Sequence, residues 1–302
     1  MTRVTVLMSV FGEHVGWATL PAVVDAWLDQ DLSCDVVIAT SGELDLAGSL
    51  PADVGDRVRV VETDHPRPTV SRLMNAAAAH ATGEWLYLSD ADVAPLGRDY
   101  LTRAVAAARG VGGAFTNPKM FRLVGPSPDG PASRWQPPAD WMSVCFVRTE
   151  PDGRLARYPG ESYRVHDDRT LWADPPPDAF VLEPFEFSRR PALHWGATVV
   201  RREDLIAVGG YCEQYEGWGC EDEDLLHKLA ARMNVIQACV EMPEILCVHF
   251  EHRRPYDTPD YAANQARLVS RREAGPEAMI AADLDAAAKR AAAGAQRSVT
   301  TR

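Results

Sequence analysis

The chain has 302 residues, 31 lysines and arginines against 43 aspartates and glutamates (formal net charge −12), and 46% hydrophobic residues. That length and apolar fraction supply a real core and exclude disorder as the global state, while the acidity opposes non-specific binding to phosphate backbones, so nucleic acid is not an expected partner and an anionic ligand would need a metal ion or a local basic residue. No apolar run approaches the ~18–20 residues that cross a bilayer, and residues 1–10 lead into a polar stretch without a small-residue cleavage signal, so a cytoplasmic protein with no membrane span is expected.

In chain order, VTVLMSV (4–10) reads as a strand, LPAVVDAWL (20–28) carries helical spacing, and DVVIAT (35–40) and RVRVVE (57–62) read as two further strands. Thr69 can cap a following alanine-filled helix that Gly83 can end, and EWLYLSDAD is a strand whose last residues turn acidic. Alternation of this kind predicts a parallel sheet flanked by helices, with ligands at the carboxyl ends of the strands. Residues 121–190, dense in Pro, Gly, Trp and charge, break the pattern and read as a substrate-facing, loop-rich insertion. Its aromatics Trp135, Trp141, Tyr158, Tyr163 and Trp172 could stack on a substrate or pack the insertion onto the domain. LHWGATVV (193–200) reads as a resumed apolar run, then a helical REDLIAVGG, and from Arg271 an alanine-rich, loosely held helical or frayed tail. The six cysteines form no CxxC pair, and most sit in apolar runs, so free buried thiols are expected.

Three constellations carry chemistry. Asp90 and Asp92 stand one residue apart at a strand end, where two dry carboxylates repel and a divalent cation resolves the cost; the same pair is also a common turn, so alone it is weak. Gly217-Trp218-Gly219-Cys220 leads into Glu221-Asp222-Glu223-Asp224 at the amino end of a helix, where the dipole favours carboxylates by ~0.3–1 kcal/mol each. Four adjacent carboxylates exceed what capping needs, and their repulsion raises the proton affinity of at least one, as suits a general base. The glycines permit close approach of a ligand, with the indole as a flat wall. The third is Cys247-Val248-His249-Phe250-Glu251-His252; a zinc site on Cys247, His249 and His252 lacks an obvious fourth ligand.

Taken together, residues 71–95, 209–225 and 247–254 resemble, in order and spacing, the GT-A fold glycosyltransferases. The similarity is greatest to beta-1,4-galactosyltransferases and bacterial chondroitin-type polymerases, and more distant to polypeptide N-acetylgalactosaminyltransferases. It covers roughly 3–265 apart from the insertion. The resemblance implies an α/β, Rossmann-like, mostly parallel sheet flanked by helices in a single catalytic domain (1–270), with the 121–190 insertion on the acceptor side and a tail at 271–302. It implies that Asp92 ligates Mn2+ (or Mg2+) holding the donor diphosphate, with Asp90 reaching ribose or metal. The later metal-binding histidine matches His249, with His252 a rival. Asp222 matches the catalytic base and Glu221 a binder of acceptor hydroxyls; Trp218 would face donor phosphate and acceptor sugar, and Trp195 the acceptor. Arg72, Ser9, Val10, Phe11 and Glu13 would meet the nucleotide. Two departures stand out: Cys220 replaces a usual glycine, and the methionine that accompanies the galactosyltransferase histidine is absent at 246–248.

The implied activity is metal-dependent, inverting transfer from a nucleotide-sugar, by default a UDP-sugar, to a hydroxyl of a small-molecule or saccharide acceptor. A retaining transferase on the same fold, and a non-catalytic nucleotide- or carbohydrate-binding protein on the same scaffold, are the alternatives. A sugar nucleotidyltransferase would need a basic, glycine-rich loop after the first strand, and FGEHVGWATL lacks the basic residue.

Overall fold

The computed structural model describes residues 2–11, 16–41, 46, 50, 54–63, 67–125, 129–137, 145–149, 151–157, 163–173, 180–182, 192–250 and 258–300. The first half alternates as the sequence predicts: β1 (Val4–Val10), α1 (Gly16–Leu28), β2 (Cys34–Ser41), β3 (Val58–Thr63), α2 (Val70–His80), β4 (Trp85–Leu88), β5 (Val93–Pro95), α3 (Tyr100–Val111) and β6 (Ala114–Thr116). β1 and β4 are buried at every position, as central strands covered on both faces must be. Thr69 caps α2 by accepting the Arg72 backbone N–H. The helix ends on Ala81 rather than at Gly83. Gly83 serves a close approach instead, since a Cβ there would lie 2.7 Å from the Thr5 nitrogen of β1.

The rest of the chain adds β7 (Lys119–Leu123), β8 (Cys145–Thr149), β9 (Leu155–Arg157), β10 (Tyr163–Val165), β11 (Leu171–Ala173), β12 (Phe180–Leu182), β13 (Ala192–Leu193), β14 (Thr198–Arg201), α4 (Arg202–Ala207), α5 (Glu221–Arg232), β15 (Val235–Gln237), α6 (Ala238–Glu241), β16 (Leu246–Phe250), α7 (Pro259–Ala274) and α8 (Pro276–Thr300). The central sheet has the order β15-β6-β14-β4-β1-β2-β3. Only β14 runs antiparallel to its neighbours β4 and β6; the other pairings are parallel. A second sheet, β11-β10-β7-β16-β5, is joined by β13, and β12-β8-β9 forms a third. On one face of the central sheet Trp27, Tyr87, Tyr100 and Phe115 pack together, with the Tyr87 and Tyr100 hydroxyls 2.7 Å apart.

The reversal at β14 decides where the site lies. Because β14 begins where β4 ends, the residues before it arrive beside Asp90 and Asp92. The apolar run 193–200 is therefore not one strand: Ala192–Leu193 pairs with β7, and His194–Ala197 crosses to the central sheet before β14 starts.

Within the insertion, β10 and β11 extend the second sheet, so the stretch is not all loop. Trp135 packs edge-on to Phe250 and Tyr163 to Phe121, both buried. These two aromatics take the packing role; Trp172 is 53% exposed, and Trp141 and Tyr158 lie outside the described residues. Cys34, Cys212 and Cys247 are buried and Cys220 and Cys239 half-buried, all as free thiols. The boundary expected at 270/271 falls inside α7. Beyond it α8 buries Met279, Ile280 and Asp283, so this part of the tail is packed rather than loosely held. Among the described residues no helix is long and apolar enough to cross a membrane.

Candidate active site

The two carboxylates of the 90–92 motif part company. Asp92 is buried, and its Oδ2 stands 3.6 Å from His249 Nε2. The juxtaposition follows from register: β5 pairs antiparallel with β16, Val93 lies opposite His249, and the Phe250 N–H donates to the Asp92 carbonyl at 2.9 Å. Asp90 turns the other way, with its Oδ2 3.7 Å from Nε2 of buried His194. Gly196 lies at the centre of this second group. A Cβ there would stand 3.0 Å from Asp90 Oδ2 and 3.4 Å from Asp222 Oδ2, so the glycine keeps open the space between the strand-end carboxylate and the amino end of α5.

The acidic run on α5 divides by helical position. Glu221 and Asp222 face the cleft, and Tyr211 donates its hydroxyl hydrogen to Asp222 Oδ1 at 3.3 Å. Glu223 pairs with Arg272 at 2.6 Å on an exposed surface. Asp224 is fully buried on the opposite side, accepting from Arg271 at 2.5 Å and Tyr215 at 3.0 Å. Four carboxylates in a row thus serve two purposes, since Asp222 and Asp224, two residues apart, do not face each other on the helix.

The turn before α5 is strained by design. Gly217, Gly219 and Cys220 have φ of 63°, 97° and 77°, a region that costs an L-residue with a side chain. The glycines fit close against α7: a Cβ on Gly219 would sit 2.8 Å from the Tyr261 ring, and one on Gly217 3.1 Å from Asp260. Trp218 between them stacks on Tyr261 of α7 at 5.4 Å. Arg72 is likewise held by protein. Its guanidinium donates to Glu216 at 2.7 and 3.3 Å and to the Arg67 and Glu213 carbonyls, so it fixes the 213–216 segment to α2. Ser9 is buried at the end of β1, Phe11 packs partly into the core, Trp195 is 49% exposed beside His194, and Glu13 and His252 lie outside the described residues.

Comparison with known proteins gives this arrangement an enzyme class. A family model for "Glycosyl transferase family 2" matches residues 5–117, and one described as "N-terminal domain of galactosyltransferase" matches 184–253. This chain is a glycosyltransferase of the GT-A fold. Among solved structures, the glycosyltransferase is similar to a mannosyltransferase from Pyrobaculum calidifontis, itself in complex with GDP-Man and Mn2+, at 19% identity and TM-score 0.50, covering 98% of this chain and 80% of that one. It is also similar to GalNAc-T7 with UDP, GalNAc and Mn2+, at 15% identity and TM-score 0.55, covering 89% of this chain and 48% of that one. No curated protein matches the chain.

Could the glycosyltransferase hold a metal? Among the described residues no three His, Cys, Asp or Glu side chains form a ready-made cage. Asp92 and His249 offer one carboxylate and one imidazole facing each other at 3.6 Å, both buried. Two protein ligands of this kind fit an ion that takes its remaining oxygens from substrate phosphates and water. The imidazole favours a transition ion such as Mn2+ over Mg2+.

The electrostatics of the cleft are those of crowded acids. Burial pushes Glu221 up to about 7; bonds from its own and Gly219's backbone N–H oppose this, and the charge of Asp90 adds to it. Burial, then Glu221 and Asp90, raise Asp222 well above the usual carboxylate range, with the Tyr211 hydroxyl pulling the other way. The consequence for stability has a definite sign. Glu221 titrates near 4.5 when unfolded and near 7 when folded, so the folded state holds the extra proton between those values. Its contribution is fully present below pH 4.5 and is lost as pH rises through 7. In chelator-treated protein, the loss is expected to reach on the order of 3 kcal/mol by pH 8. Glu221→Gln should flatten this slope and melt higher than the parent at pH 8; thermal melts from pH 5 to 8 giving parallel curves for both proteins would contradict the assignment.

His194, Tyr211 and Asn75 are absent from the sequence-derived site. His194 lies inside the apolar run 193–200, and a histidine there gives no cue until the β14 crossing is known. Asn75 carries a faint one, being three residues after Arg72 and so on the same face of α2.

Proposed function

We propose that the enzyme carries out metal-assisted, inverting transfer of a sugar from a nucleotide-sugar to an acceptor hydroxyl. The observation that carries this reading is the meeting of three groups at one end of the central sheet: Asp92 with His249, Asp90 with His194, and Asp222 at the amino end of α5 across Gly196. Asp92 and His249 would hold the ion, with Asp90 directed to the donor's ribose or to the ion. When bound, Mn2+ or Mg2+ neutralises charge developing on the departing nucleoside diphosphate. Asp222, whose raised proton affinity suits a base, orients the acceptor hydroxyl and takes its proton as that oxygen bonds to the anomeric carbon and the bond to phosphate breaks. Glu221 at its side binds neighbouring acceptor hydroxyls. Partly exposed Trp218 and exposed Trp195 give the acceptor flat apolar walls. Opposite-face attack requires a base on the acceptor side, which is why the Asp222 position favours inversion.

UDP is the default nucleotide by the family resemblance. A panel of UDP-galactose, UDP-N-acetylgalactosamine, UDP-glucose and GDP-mannose with p-nitrophenyl glycosides as acceptors tests the reading. The anomeric proton of the product should report inversion; a retained configuration overturns the role of Asp222. Asp92→Ala is expected to abolish the Mn2+-dependent part of UDP or GDP binding in calorimetry, because one of two protein ligands is lost. Equal nucleotide affinity with Mn2+ in variant and parent would rule Asp92 out as a ligand.

A further inference from the structure

The groups that mount Asp222 come from three elements outside the helix that bears it. Tyr211 is buried, and its hydroxyl is within hydrogen-bond reach of Asp222 Oδ1 at 3.3 Å. Asn75 of α2 clamps the Tyr211 backbone on both sides: its Nδ2 donates to the Tyr211 carbonyl and its Oδ1 accepts the Tyr211 N–H, each at 2.9 Å. One residue upstream, Lys228 Nζ donates to the Gly210 carbonyl at 2.6 Å and to Asp283 Oδ2 of α8 at 2.5 Å, with Lys228 wholly buried. Asp283 also accepts from Arg271 of α7 at 2.7 Å. α8 itself presses on this turn, since a Cβ at Gly209 would meet Asp283 Cβ at 2.8 Å. Residues 254–302, which supply α7 and α8, lie outside both family-matched segments.

We propose that Tyr211 is the positioning residue of the catalytic base, and that α2, through Asn75, and the C-terminal helices, through Lys228 and Asp283, exist in part to hold it there. The proposal rests on the reading of Asp222 as base. A carboxylate at the mouth of a cleft can rotate about χ2, and one fixed donor on Oδ1 leaves Oδ2, the oxygen on the Gly196 side, as the one presented to the acceptor. The same bond favours the ionised form over the protonated one, so that the base is competent at a lower pH than burial alone would allow. A phenylalanine in place of Tyr211 fills the same volume and loses only this donor.

The test is Tyr211→Phe, alone and combined with Asp222→Asn, assayed with the most active donor and acceptor pair of the panel above. We expect kcat to fall about ten- to a hundredfold, the value for one hydrogen bond to a charged group, with donor KM unchanged and the acidic limb of the kcat/KM profile moved to higher pH. In the Asp222→Asn background the second substitution should have no further effect. Unchanged kcat and pH profile in Tyr211→Phe, or an equal loss in the Asp222→Asn background, overturns the proposal. If Asp222→Asn alone keeps full activity, it is the base assignment that fails. A substrate-independent readout separates a folding defect from a positioning one: with 13C-labelled aspartate, the Asp222 carboxyl resonance, identified by its loss in Asp222→Asn, should titrate at higher pH in Tyr211→Phe. An unmoved midpoint in a folded variant counts against the bond.

Discussion

Replacing Asp222 by asparagine is expected to reduce sugar transfer by about 10²–10⁴-fold, the range general-base assistance supplies, while leaving Mn2+-dependent nucleotide binding nearly intact. The two effects separate because the Asp222 carboxylate lies by Gly196 and Tyr211, whereas Asp92 faces His249. Asparagine keeps the shape of the side chain and still accepts from the Tyr211 hydroxyl, so the loss isolates the proton-accepting role. It also removes a carboxyl whose protonated form burial, Glu221 and Asp90 all favour, so the variant should be no less stable than the parent at neutral pH. The measurement pairs steady-state transfer with calorimetry of UDP in Mn2+. Loss of nucleotide affinity in proportion to loss of rate would place Asp222 in the donor site instead.

Much of the frame was legible because the residues that form it speak through period alone. β1, β2, β3, α2 and β4 lie where alternating β-branched runs and the Thr69 cap put them, and the carboxylates follow β4 as a strand-end motif should. What was not legible is whatever depends on a crossing or on a partner far along the chain. The run 193–200 has the apolar density of a strand, but His194–Ala197 passes between two sheets, and no local pattern distinguishes those cases. Arg72 is given a nucleotide role by the family resemblance alone, and no local pattern tells that Glu216, 144 residues away, meets its guanidinium. Nor does any local pattern tell that Gly217 and Gly219 abut Asp260 and Tyr261 of α7. Spacing could place the Glu221–Asp224 run on a helix end but could not say which members faced the cleft, because that requires the position of α7 and α8.

That division of the acidic run leads to the largest expected effect on stability. Asp224→Ala should cost about 3–5 kcal/mol, the usual penalty for breaking a buried ion pair by removing one partner, whereas Glu223→Ala, one residue earlier, should cost at most about 1 kcal/mol, as for exposed pairs. Asp224 is fully buried and its carboxylate accepts from Arg271 at 2.5 and 3.2 Å and from Tyr215 at 3.0 Å, with Lys228 Nζ at 3.8 Å. Without it, Arg271 and Lys228 share Asp283 alone, leaving two buried cations on one carboxylate. Glu223 and Arg272 keep roughly two-fifths of their side-chain surface in water, so solvent replaces most of what each loses. Urea unfolding of the two variants in parallel, read as changes in midpoint at constant slope, distinguishes them. Equal costs would mean that the Asp224 network is no more than a surface pair, and α7 and α8 would then lose their claim to be the brace behind the amino end of α5. The same comparison separates stability from chemistry within one short acidic run: Asp222→Asn should lose rate and keep its fold, and Asp224→Ala should lose fold first.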